Sequence, residues 1–84
     1  MLRVLVAAVI EALKAWRLDE ARLREVPPYF VLHDRVLLRI ASAHPQTLHA
    51  LEAVPGIGPA KLEAFGRAIV DTVVAALGSS HAQA

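Results

Sequence analysis

Cysteine is absent from this 84-residue chain, which removes disulfides, thiolate metal sites and cysteine nucleophiles together. Stability must come from helix packing, and a reducing intracellular setting fits. An excess of one charge is also missing. Nine Lys and Arg stand against eight Asp and Glu, a formal net charge of +1, whereas a dedicated nucleic-acid binder is usually plainly basic. That balance disfavours strong stand-alone DNA binding, so any nucleic-acid role rests on a local patch. Long hydrophobic runs are lacking too. The apolar start, Met1 to Ile10, is interrupted by Arg3 and ended by Glu11, far short of the ~20 residues that span a bilayer. With no clear small-residue cleavage site before Lys14, it reads as a helix buried against protein rather than an export signal.

Catalytic and metal-binding constellations are equally scarce. His33, His44, His49 and His81 are scattered, and His44 and His49 straddle a proline break without the i, i+4 spacing of a helical pair. Ser42, Ser79 and Ser80 have no visible base partner, and the carboxylates form no obvious pair. The expectation is a chain with no catalytic residue, no metal and no cofactor.

What is present is helical periodicity. A chain of this length makes one domain at most and buries roughly 60% of its unfolded surface. The spacing of Val6, Val9, Ile10, Leu13 and Trp16 predicts a first helix from about Leu2 to Arg24. Val26-Pro27-Pro28 stops it, since proline disfavours helical geometry in the residue before it. Tyr29 to Leu32 then crosses into the core as an extended segment. A second helix is expected from His33-Asp34 to about Ala43, with Leu37, Ile40 and Ala41 inward and Arg35, Arg39 and Ser42 outward. His33 is a mediocre cap. Thr47 is a plausible N-cap for a short helix through Ala53. Leu62, Phe65, Ile69, Val73 and Ala76 keep one stripe, as one long bent helix or two helices meeting at Gly66. Gly78-Ser79-Ser80 is expected to end the domain, leaving a disordered tail.

Between the last two helical runs lies Val54-Pro55-Gly56-Ile57-Gly58-Pro59-Ala60-Lys61. Proline suits the first turn of a helix, so Gly58-Pro59 reads as a helix start. Such a start presents free N–H groups and the positive end of a dipole, which suits a phosphate. The same glycines also serve simply to close a tight turn. Lys61 should point outward in either case.

The segments Trp16-Arg17…Ala21, Pro27-Pro28-Tyr29, Asp34…Leu37…Ile40-Ala41, Pro45-x-Thr47 and Gly56-Ile57-Gly58-x-x-Lys61…Phe65-Gly66 stand in a familiar order. Together they resemble the HRDC domain, named for the helicase and RNase D C-terminus. The resemblance implies an all-α fold, a compact five-helix bundle with a glycine turn similar to a helix-hairpin-helix. It covers residues 9–77, with residues 1–8 as an apolar N-terminal extension of the first helix and residues 78–84 as the tail. It further implies a non-catalytic accessory domain of a RecQ-like ATP-dependent DNA helicase, in preference to an RNase D-type exonuclease. Such a domain modulates DNA-substrate binding in repair and recombination, in the cytoplasm and, in a bacterium, at the nucleoid. Two features depart from the family pattern: His33 replaces a small polar cap, and the basic DNA-binding face is only partly present.

On this reading the candidate nucleic-acid-binding residues are Tyr29, Arg35, Arg39, Gly56, Gly58, Lys61 and Arg67. Tyr29 either stacks on an unpaired base or belongs to the core; the resemblance associates its position with single-strand contact. Arg35, Arg39, Lys61 and Arg67 make either a phosphate patch or a solvated face of weak pairs. Arg17 is expected to brace the fold. The alternative function is a protein-interaction module. There the apolar surface of the first helix, with Leu2, Leu5, Val6 and Val9, contacts other domains of the parent helicase or a second copy. The expected partners are thus single-stranded or structured DNA, bound weakly, the parent's other domains, or the chain itself, and no membrane.

Overall fold

Helix α1, Leu2–Arg24, is the longest element of the N-terminal half in the computed structural model, which describes residues 2–82 and the side chains of residues 3–78. It ends in a Schellman motif. Glu25 adopts a left-handed φ of 55°, its N–H donates to Arg22 O, and the Val26 N–H reaches back to Ala21 O at 3.0 Å. Ala21 is buried and Val26 packs against the core, which supplies the apolar contact that accompanies this cap.

After Pro27 the chain forms a one-turn helix, α2, Pro28–Val31, where an extended crossing was expected. Pro27 is the N-cap and Pro28 the first helical residue. Their fixed φ values favour this turn, and the missing Pro28 N–H would be unpaired there in any case. Helix α3, Asp34–Ala43, follows with His33 as an N-cap that makes no side-chain bond. Its inward stripe is Val36, Leu37, Ile40 and Ala41. It stops at His44, in left-handed geometry with φ 51°, followed by buried Pro45. Helix α4, Leu48–Glu52, begins at Thr47, whose hydroxyl accepts from the Ala50 N–H at 3.0 Å.

The glycine turn then leads into α5, Pro59–Ala82. Of the two readings left open by the sequence, a single unbroken helix is the observed one. It also continues past Gly78, where the sequence predicts a stop. A helix-ending glycine works by adopting positive φ, and among the described glycines only Gly56 does so. A glycine in helical geometry costs only about 1 kcal/mol relative to alanine. Residues 83–84 of the expected tail lie outside the described residues.

The core is built where α1, α3, α4 and α5 converge, around fully buried Val9, Leu13, Leu37, Ile40, Leu51, Ile69 and Val73. Trp16 of α1 meets Phe65 of α5 edge-on, with ring centroids 5.6 Å apart. Buried Gly66 brings α4 and α5 together. A Cβ there would lie 3.0 Å from Leu48 Cδ2 and 3.2 Å from Leu62 Cδ1. No described helix is long and apolar enough to cross a membrane.

Candidate nucleic-acid interface

The short helix α2 places two rings at the surface. Tyr29 and Phe30 are 55% and 59% exposed, and their rings stack with centroids 5.0 Å apart. The His33 imidazole lies 6.2 Å from the Tyr29 ring. Tyr29 and His33 share an open groove of about 580 Å³ with Arg35 and Arg39 from the outer face of α3. The structure thus brings together three of the residues singled out from sequence, Tyr29, Arg35 and Arg39. Neither arginine has a carboxylate partner among the described residues. Arg39 makes one bond, to the Pro55 carbonyl at 3.3 Å.

Asp34 lines the same groove, but its charge is matched. Arg17 of α1 donates to Asp34 Oδ1 at 2.7 Å and to the Leu32 carbonyl at 2.8 Å. The hydrogen bond and charge of Arg17 hold the Asp34 carboxyl below its ordinary value. Arg17 therefore braces the fold, as the sequence suggested.

Lys61 departs from expectation. Instead of pointing outward, Nζ donates to the carbonyls of Phe30 and Val31 and lies 5.5 Å from the Phe65 ring centroid. Burial and the nearby charge of Arg24 push its pKa down. The last carbonyls of a helix have no partner inside it, and Lys61 supplies one for two of those in α2. With Arg17 on Leu32, three consecutive carbonyls are held by cations from α5 and α1.

The turn itself is shaped by packing. Gly56 has φ +99°, and a Cβ there would lie 2.6 Å from Val36 Cγ2. Only glycine meets both demands. Gly58 is open, with nothing within 4 Å of a built Cβ. It lines a small groove with Glu52 and Pro59, and that carboxylate opposes an anion at the start of α5. Arg67 is exposed on α5 and lines neither groove that Arg35 and Arg39 share.

The expected apolar surface of α1 is smaller than the sequence suggests. Val9 is fully buried in the chain's own core, so it is not an interface residue. It falls on the same face as Leu13, one turn on, and both are enclosed by the bundle. Val6 packs against that core and Leu5 is half-buried. Leu2 begins α1, and its side chain lies outside the described residues. Sequence reasoning missed Phe30, although its place beside Tyr29 after two prolines was a usable signal.

The described residues thus form a helical bundle that carries an exposed aromatic pair beside two arginines without a carboxylate partner, with a glycine turn between α4 and α5. The HRDC domain family matches residues 6–73, and the chain belongs to that family. It is 44% identical over 61 residues to the ATP-dependent DNA helicase UvrD2 of Mycobacterium bovis and of Mycobacterium tuberculosis. That match covers 73% of this chain and 9% of each relative. The chain therefore spans only a small part of these helicases. Among solved structures it is similar to the D. radiodurans RecQ HRDC domain 3, with a TM-score of 0.82 and 30% identity. That similarity covers 86% of this chain and 95% of the other.

Proposed function

We propose that this chain is a non-catalytic accessory domain of an ATP-dependent DNA helicase, weakly engaging single-stranded or structured DNA and so tuning substrate choice. The observation that carries the reading is the groove uniting exposed Tyr29 with Arg35 and Arg39. An unpaired base stacks on the ring, worth roughly 1–3 kcal/mol by alanine substitution. The two guanidiniums, one helical turn apart, meet adjacent phosphates. Asp34 does not oppose this, because Arg17 already pairs with it. The near-neutral net charge keeps the affinity low, which suits a module that adjusts a larger enzyme rather than anchoring it.

The resemblance at the sequence level pointed to a RecQ-like parent. The 44% identity to UvrD2, against 30% to the RecQ domain, favours a UvrD2-like parent among ATP-dependent DNA helicases. Fluorescence anisotropy with a labelled oligothymidylate tests the DNA contact. Binding by the 84-residue chain should weaken with salt and fall on Tyr29→Ala. No binding at low salt would remove the direct-contact reading.

A second reading, protein contact through α1, draws on Val4, which is 66% exposed near the helix start. Light scattering addresses its self-association form. A strictly monomeric chain at high concentration would leave only contacts with other parts of the parent.

A further inference from the structure

We infer that the groove between α3 and α4 is a docking site for an acidic amphipathic helix of a protein partner, adjoining the DNA contact proposed above and sharing its two arginines. The groove has a volume of about 640 Å³ and shares Arg35 and Arg39 with the groove at Tyr29, a residue that does not line it. Its floor is aliphatic: Leu38, 49% exposed, with Ala50, Ala53 and Pro55.

Two properties select the occupant. The lining contains no aromatic ring, so an unpaired base has nothing to stack on, whereas leucine-like side chains find hydrocarbon on both walls. Small Ala50 of α4 and Ala53 just after it also leave room for a second helix to approach, the geometry in which an amphipathic helix lays its apolar face into a groove. Charge fixes the rest. Arg35 and Arg39 line the groove, and no carboxylate does, so an incoming segment with Glu or Asp flanking its apolar stripe is complemented, while a basic one is repelled. Arg39 is already oriented by its bond to the Pro55 carbonyl at 3.3 Å, which holds its guanidinium at the groove.

The test uses a designed helical peptide with leucines on one face and flanking glutamates, and a control peptide with lysine in place of each glutamate. Backbone amide shifts of the 84-residue chain are followed by NMR during titration. The acidic peptide is expected to shift amides of α3 and α4, to bind at least about tenfold more tightly than the lysine peptide, and to lose about tenfold on Leu38→Glu. Arg35→Glu with Arg39→Glu is expected to reverse the preference. Tyr29→Ala should leave peptide binding unchanged, which separates this site from the DNA contact. Equal binding of both peptides, shifts confined to α1 or α5, or no binding at millimolar peptide would overturn the proposal. Groove shifts produced by oligothymidylate but not by the acidic peptide would also overturn it, making the surface one for nucleic acid.

Discussion

Lys61 Nζ donates to the Val31 carbonyl at 2.7 Å, joining residues thirty positions apart. Its second bond, to Phe30, makes this lysine the clamp that ties α2, and with it Tyr29, to the start of α5. In the proposed DNA contact, a lysine placed like this serves by positioning the Tyr29 ring rather than by touching phosphate. Replacement by Met keeps the aliphatic stem near Phe65 and removes the donors. Lys61→Met should cost about 1–3 kcal/mol in urea unfolding, because the last carbonyls of α2 are left without a donor. It should weaken oligothymidylate binding with no change in the salt slope. A slope lower by about 0.7 would instead identify Lys61 as a phosphate ligand.

Arg17 and Asp34 form an unequal pair. Removing Arg17 strips a partner from the carbonyl of buried Leu32; removing Asp34 leaves that bond in place. Arg17→Met should therefore destabilise by about 1–3 kcal/mol, and Asp34→Asn by clearly less. The pair also sets an acid response. The folded carboxyl titrates below its ordinary 3.8, so its contribution is full above that value and is lost as pH falls through the lower folded one. Urea midpoints measured from about pH 6 down to about pH 2 should fall less steeply in Asp34→Asn than in the unmodified chain.

The cap of α1 holds a removable strain. Glu25 sits at φ 55°, a region that costs an L-residue roughly 1–2 kcal/mol. Glu25→Gly retains both Schellman bonds and should raise stability by about 1 kcal/mol, read as a higher urea midpoint with an unchanged slope.

The two glycines of the turn should respond differently. Gly56→Ala forces a Cβ against Val36 in a positive-φ backbone and should cost about 2 kcal/mol or more. Gly58→Ala meets open space and should cost under about 1 kcal/mol. If Gly58→Ala folds normally yet abolishes DNA binding, the start of α5 is a phosphate site after all.

Much of the architecture is legible in the sequence because it rests on local signals. Pro27-Pro28 marks the break after α1, Thr47 caps α4, and Pro59 opens α5. The amphipathic stripe of α3 also reads directly, down to Leu37, Ile40 and Ala41. What escapes is decided by distant groups. The Tyr29-to-Leu32 run looks extended by composition, and its one helical turn is secured by Lys61 and Arg17 from elsewhere in the chain. Lys61 looks exposed by periodicity, which is blind to carbonyls brought in by another element. Val9 looks available for a partner until α3 and α5 enclose it. The candidate site was legible as residue types, Tyr29, Arg35 and Arg39, but not as a surface. Their shared groove exists only once α2 packs beside α3.

The salt dependence of oligothymidylate binding, compared between the unmodified chain and Arg35→Ala with Arg39→Ala, tests the proposed DNA interaction most directly. Phosphate neutralisation by both arginines predicts that log K falls linearly with log salt. The double variant should then have a slope shallower by about 1.4, or ~0.7 for each phosphate left unneutralised. Tyr29→Ala should weaken binding by roughly 1–3 kcal/mol with its slope unchanged. An identical slope in the double variant, or no binding by the unmodified chain at low salt, would contradict the proposed engagement of DNA.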